Sequence, residues 1–108
     1  MTGENREEAL QPPSGPAAAL FSPKRFAIAS LLYLRGSMSM ARLRELTGLS
    51  WGDLDSNVRF LARRGLAATR KVFTRRGVRT MVYLTEEGRR AYEELVDYLS
   101  GILAAREG

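Results

Sequence analysis

Between Ala41 and Gly65 two helical runs are separated by only three residues, Gly48-Leu49-Ser50, and this spacing limits the fold more than any other feature of the chain. Ala41 to Thr47 reads as a short helix with Leu43 and Leu46 pointing inward. Met40 joins them, and Leu49 plugs the core at the turn. Trp51 to Arg64 reads as a second helix. Ser50 stands just before it and Asp53 three residues on, a capping-box arrangement with Asp in place of the usual Glu. Gly65 then offers the left-handed conformation that ends a helix. At 100° per residue, Trp51, Leu54, Val58, Leu61 and Ala62 fall on one face. Gly52, Ser56, Arg59, Phe60 and Arg63 fall on the other. One side can lock to a core while the other carries polar and basic groups into solvent.

The text on either side extends this unit. Leu66 to Phe73 and Val78 to Leu84 are β-rich runs flanking Thr74-Arg-Arg-Gly77, which is a hairpin signal. Upstream, Ser22-Pro23 supplies a capping hydroxyl and a proline at the first helical position. That helix runs to about Arg35 and stops at Gly36. Ser37-Met-Ser is an extended link, short enough to be one strand of a small sheet. Residues 1–19 are expected to be a flexible tail, because Gln11 to Pro16 is proline-rich. Ala17 to Phe21 can form a turn that packs on the body. Downstream, Thr85 caps a last helix over 86–108 with Glu86 and Glu87 in its first turn, where the helix dipole favours carboxylates. Tyr92, Leu95, Leu99, Ile102 and Leu103 form a long apolar stripe on it. Such a stripe usually meets a partner, and a second copy with two-fold symmetry is the simplest one. The plainer reading folds the stripe back onto the first helix.

Composition removes whole classes of function. The chain has no cysteine and no histidine. No disulfide, thiolate metal site or Ser-His or Cys-His pair can therefore exist, and zinc would need an all-carboxylate site. The carboxylates Asp53, Asp55, Glu86 and Glu87 sit at expected helix starts, where capping explains them. There is no phosphate-cradling glycine loop of the required spacing. No enzyme, no cofactor and no metal are expected. No apolar run reaches membrane-spanning length and the first residues lack a signal-peptide pattern, so a cytoplasmic location is expected.

The charge is uneven. Residues 21–90 carry fifteen basic and five acidic groups, while both ends are net acidic. Between Asp55 and Glu86 there are eight cations and no anion: Arg59, Arg63, Arg64, Arg70, Lys71, Arg75, Arg76 and Arg79. A basic body points to a polyanionic partner. All but two of the seventeen cations are arginine. Arginine suits bidentate phosphate and guanine contacts, although a GC-rich genome also favours its codons.

Helix, short strand, helix, turn, helix, two-stranded wing, helix is the order of a winged helix-turn-helix. The fold class is thus mainly α with a small β-hairpin. The resemblance rests on Leu20 to Ile28, Leu43 to Ser50, Leu61 to Leu66, Arg75 to Thr80 and Leu84 to Arg89, in that order. With these residues the chain resembles small prokaryotic transcriptional regulators of the MarR/ArsR-like class, over residues 20 to about 95. The resemblance implies a winged-helix DNA-binding domain over 20–85 and a dimerisation helix over 86–108. It further implies a homodimer on double-stranded DNA, with helix 51–64 in the major groove and wing 74–78 in or near the minor groove. The lack of cysteine and histidine excludes ArsR-type metal sensing, and Asp53 stands where relatives often carry a basic or amide group.

On that reading Gly52, Ser56, Arg59, Phe60 and Arg63 form the recognition face. Arg59 serves as a guanine reader or a phosphate clamp, and Gly52 allows close approach to the DNA backbone. Phe60 packs under the wing or against sugar. Arg75 and Arg76 form a wing tip suited to a narrow minor groove. Arg70, Lys71 and Arg79 hold phosphate, as do Arg42 and Arg44 on the preceding helix. The competing readings are a winged-helix protein-docking module, or a non-specific chromatin or RNA binder.

Overall fold

The computed structural model describes residues 10–107. Its elements are α1 (Gly15–Ala19), α2 (Pro23–Arg35), β1 (Met38–Ser39), α3 (Met40–Thr47), α4 (Trp51–Arg63), β2 (Ala67–Thr74), β3 (Gly77–Leu84) and α5 (Glu86–Glu107). The three strands form one antiparallel sheet in the order β1-β3-β2. Met38 lies opposite Val82, and β2 pairs with β3 from Ala67–Leu84 out to Thr74–Gly77.

The expected caps form at Ser22 and Ser50, and Ser39 supplies a further one that the sequence did not single out. The hydroxyls of Ser22, Ser39 and Ser50 accept hydrogen bonds from the amides of Arg25, Arg42 and Asp53. Gly48 takes φ +72° between α3 and α4. After α4, the Gly65 amide donates to the Ala62 carbonyl and the Leu66 amide to that of Leu61, with Gly65 at φ +73°. This paired closure satisfies carbonyls that the helix end would otherwise orphan.

Leu20, Ile28, Leu32, Leu43, Leu54, Leu61, Leu66, Val82 and Leu95 are fully buried and tie α2, α3, α4, the sheet and α5 into one core. Fully burying a side chain of this size contributes about 1.5–3 kcal/mol. The α4–β2 junction is clasped to the start of α5. The Thr85 amide donates to the Leu66 carbonyl at 3.1 Å and its hydroxyl donates to the Gly65 carbonyl at 2.6 Å. The same hydroxyl accepts from the Gly88 amide, as a helix cap should. Gly88 lies so close to β2 that a Cβ there would stand 1.9 Å from the Leu66 carbonyl oxygen.

Three expectations are corrected. The flexible tail does not reach Ala19: α1 begins at Gly15 with Pro16 in its first turn, and Ala17, Ala19 and Leu20 are buried. Proline is harmless at that position because its missing amide had no partner to lose. The part of the expected tail before Leu10 lies outside the described residues. Leu46 is not inward but 40% exposed. Trp51 and Ala62, assigned to the inner face of α4, are exposed, since the buried arc centres on Leu54, Val58 and Leu61 and is rotated toward Asn57 and Phe60.

Candidate nucleic-acid interface

The outward side of α4 is a narrow stripe. Gly52, Ser56, Arg59 and Arg63 are all exposed and fall within roughly 60° of arc on a helical projection. The core leucines fix this orientation from the opposite side. Arg59 donates to the Asp55 carboxylate at 2.9 Å, both side chains being more than half exposed. An exposed i,i+4 pair of this kind is worth about 0.3–0.5 kcal/mol, little enough to be exchanged for a phosphate or a base edge. Among the described residues Arg63 has no carboxylate within ion-pair distance.

Phe60 departs from the outward face. It is half-buried against the core, with the guanidinium of Arg25 at 4.2 Å from its ring centroid and that of Arg64 also at 4.2 Å. Arg25 reaches it from the start of α2, anchored at 2.6 Å on the Ala19 carbonyl. A guanidinium over an aromatic ring is attracted by the negative π face, so two of them favour holding the ring here over leaving it in water. Phe60 thus shapes the flank of the stripe and is not part of it. Beside it, Lys24 pairs with Asp53 at 2.8 Å. Neither Lys24 nor Arg25 is marked by the sequence of α4, because both come from about thirty residues upstream.

The hairpin projects beyond the core. Its tip is Arg75-Arg76, stitched by Thr74. The Thr74 hydroxyl donates to the Gly77 carbonyl at 2.8 Å and accepts from the Arg76 amide at 3.2 Å. Two-residue hairpin loops usually demand positive φ at both central residues. Among the described residues none other than glycine takes positive φ, and Gly77 at φ +114° absorbs the reversal, which is why two arginines can occupy the tip.

Strand register divides the remaining cations. Partners opposite each other share a face. Arg70 and Arg79 lie on one face with Met81 and Tyr83, the Arg70 guanidinium standing 6.0 Å from the Tyr83 ring. Lys71 lies on the other face, with Phe73, Val78, Thr80 and the buried Val82, and its ammonium meets the Thr80 hydroxyl at 3.4 Å. On α3, Arg42 pairs with Glu45 at 2.9 Å and Arg44 stands 5.1 Å from the Trp51 ring. The cations after Asp55 are therefore exposed but do not share one plane. Phe73, 83% exposed beside the tip, is a surface aromatic that alternation alone does not distinguish from a core strand residue.

The stripe on α5 is also divided. Leu95 is fully buried within the protomer, and Tyr92 is half-buried, stacked on Phe26 and tilted against Tyr33, with its hydroxyl 2.8 Å from that of Ser30. Leu95 is therefore not free for a partner, and Tyr92 is free only in part. Leu99 is partly covered, while Ile102 and Leu103 are 44% and 62% exposed and Phe21, edge-on to Tyr98, is 53% exposed. Nearby, the Tyr33 hydroxyl donates to Glu93 at 2.5 Å, and this bond raises the phenol above its ordinary range.

The family model for a winged helix DNA-binding domain matches residues 24–103, from α2 through most of α5. The chain belongs to the winged helix DNA-binding domain family. Among solved structures, its winged helix is similar to a transcriptional regulator homologue from Pyrococcus horikoshii OT3, with 27% identity and a TM-score of 0.78 over 97% of this chain and 99% of that one. A MarR family transcriptional regulator from Silicibacter pomeroyi shares 25% identity with a TM-score of 0.67, covering 81% of this chain and 57% of its own. A homodimeric winged helix-turn-helix DNA-binding domain from Mycobacterium bovis has the same fold at 19% identity and a TM-score of 0.68, over 93% and 83% of the two chains. Among curated proteins, none matches the sequence. The winged helix here is a small DNA-binding domain of the kind found in MarR-like transcriptional regulators. Among the described residues, no helix is long and apolar enough to cross a membrane, and no group of acidic side chains is placed to hold a metal ion.

Proposed function

We propose that the protein is a sequence-specific double-stranded DNA-binding transcriptional regulator that acts as a homodimer. Helix α4 enters the major groove and the wing tip reaches the minor groove. The reading rests on one observation: Arg63, Arg70, Arg75, Arg76 and Arg79 are exposed and, among the described residues, have no carboxylate partner. Cations left unpaired on a stripe and on a projecting tip are suited to replace the counterions of a duplex. Ser56 and Arg59 supply hydrogen-bonding groups to base edges, and Gly52 lets the start of α4 approach the backbone.

The exposed end of α5 supports dimerisation. Phe21, Ile102 and Leu103 are the apolar side chains that the protomer leaves exposed there, with Leu99 only partly covered beside them, and the Mycobacterium relative is described as homodimeric. A second copy would cover them and set the spacing of the two α4 helices. Selection of bound sites from a random duplex pool tests both halves of the proposal. An inverted repeat is the expected product. If each dimer neutralises six to ten phosphates, affinity falls about 10³–10⁵-fold between 50 and 200 mM salt. A protein that enriches no sequence, or whose retention ignores salt, is not this regulator.

A further inference from the structure

We infer that the hollow where α2, β1, α3 and β3 meet is a seat for one phosphodiester of the DNA backbone, with Arg35 as a principal ligand. The inference rests on the DNA-binding reading and extends it to a residue outside the stripe and the wing. The hollow has a volume of about 470 Å³ and is lined by Arg35, Ser37, Met38, Ser39, Arg42, Arg79 and Met81. Three of its seven lining residues are arginines, and none is acidic.

The fold brings these groups together from distant parts of the chain. Arg35 ends α2, Arg42 lies in the first turn of α3, and Arg79 stands near the middle of β3. Ser39 pairs with Met81, and Arg79 is two residues from Met81, so these side chains share one face of the sheet. Among the described residues Arg35 and Arg79 have no carboxylate within ion-pair distance, and the partner of Arg42 is the exposed Glu45. The Ser37 hydroxyl is shielded from solvent yet has no hydrogen-bond partner among the described residues. A buried donor without an acceptor is costly, and an oxyanion seated among the arginines would supply the acceptor that this lining hydroxyl lacks. The start of α3, where Ser39 already caps the Arg42 amide, adds the positive end of the helix dipole.

The hollow is open and basic, with only Met38 and Met81 as apolar lining. That suits a phosphate on a strand lying across it better than an enclosed organic ligand. Arg42 and Arg79 belong to the backbone-contacting set already proposed, so the seat continues the same surface. It carries no sequence information, because it meets phosphate and no base edge.

The test measures the salt dependence of duplex binding by fluorescence anisotropy between 50 and 200 mM salt, using the 108-residue chain and its Arg35→Ala, Arg35→Lys, Arg63→Ala and Arg106→Ala variants. Arg35 is exposed, so its truncation leaves the core intact, and circular dichroism checks that each variant is folded at the assay temperature. The slope of log affinity against log salt is expected to fall by about 0.9 for each Arg35 engaged, or about 1.8 for a dimer, making the deficit roughly twelvefold larger at 50 than at 200 mM. Arg35→Lys should keep most of the slope, Arg106→Ala all of it, and sequence preference should be unchanged in Arg35→Ala. An unaltered slope in Arg35→Ala with a reduced one in Arg63→Ala overturns the seat and leaves the DNA reading standing. A changed sequence preference overturns it too. Wild-type protein that is not retained by any duplex at 50 mM salt overturns both.

Discussion

Replacing Gly88 by alanine isolates the contact on which the placement of α5 depends. The new Cβ would stand 1.9 Å from the Leu66 carbonyl oxygen and 2.9 Å from its carbon. Both are backbone atoms of the residue that leads into β2, so no side chain can swing aside. An unstrained carbon–oxygen contact needs roughly 3.3 Å, so α5 and β2 must separate by roughly 1.4 Å. That movement takes the 3.1 Å bond from the Thr85 amide to the Leu66 carbonyl out of hydrogen-bonding range and strains the Thr85–Gly65 bond beside it. Overpacking costs about 1–3 kcal/mol and each lost bond about 0.5–1.5 kcal/mol. Alanine returns up to about 1 kcal/mol of helix propensity. The balance is a loss of about 3 kcal/mol, which for a domain of this size lowers Tm by about 10–25 °C. Thermal unfolding followed by far-ultraviolet circular dichroism measures it. Gly101→Ala is the internal control, since its Cβ would meet only the Leu10 side chain at 3.7 Å and helix propensity should prevail. If Gly88→Ala melts with or above the wild type, the close approach of α5 to β2 is not what holds that helix.

The remaining predictions concern the DNA face, the dimer and one phenol. Gly52→Ala meets open space in the free protein and should stabilise the fold by about 0.5–1 kcal/mol. The same change should weaken duplex binding by about 1 kcal/mol or more if the start of α4 abuts the backbone; equal or tighter binding refutes that placement. Asp55→Asn frees Arg59 from its 2.9 Å pair and removes an anion from the face, so duplex affinity should rise and its salt slope steepen. Weaker binding would instead make Asp55 the residue that aims Arg59. Leu103→Glu, at a side chain 62% exposed, should leave the protomer folded but convert dimer to monomer in sedimentation; a persistent dimer places the interface elsewhere. The Tyr33 phenol is raised by its bond to Glu93, so the folded state holds that proton longer than the unfolded one. Its contribution to stability is complete below about pH 10 and is lost as pH rises through the folded value. Tyr33→Phe should remove the tyrosinate absorbance that develops latest at 295 nm, and an unchanged titration curve would assign the raised group to another residue.

Local signals were the legible part of the sequence. Ser22, Ser50 and Thr85 cap helices because a hydroxyl before a helical run can satisfy an orphan amide three residues on, whatever the rest of the chain does. Gly48, Gly65 and Gly77 bear positive φ for equally local reasons. Facing was harder to read. The period of α4 gives a stripe but not its rotation about the axis, which is decided by what packs on each flank. Arg25 and Arg64 close over Phe60, so that flank is covered and the Trp51 flank is left open. The division of α5 follows the same logic: Tyr92 looks like the rest of the stripe until Phe26 and Tyr33 of α2 pack on it, and Leu95 until the core closes over it. Arg35 was invisible for a related reason, being the last residue of a helix whose neighbours in the hollow come from three other elements.

The acidic residues of α4 gain a meaning that the one-dimensional charge pattern withholds. In sequence, Asp53 and Asp55 look like obstacles to a polyanion. In the fold Asp53 is neutralised by Lys24 across the α2–α4 contact, and Asp55 is matched by Arg59 one turn later. Both pairs are solvent-exposed, so each adds little to stability, but each cancels a charge that would otherwise repel the duplex where α4 begins. On the outward stripe Arg63 at its far end remains uncompensated, as do the arginines of the wing. The attraction for DNA is thereby weighted toward the end of α4 and the hairpin, while the first two turns of α4, with Gly52 and Ser56, have their carboxylates matched. A charge-matched start lets fit and hydrogen bonding decide there, and the basic end supplies the affinity. Substituting Lys24 should therefore weaken duplex binding without any contact of its own, because it exposes the Asp53 carboxylate to the backbone. A Lys24→Ala variant that binds as tightly as wild type at low salt would show that Asp53 lies too far from the phosphates for its charge to be felt.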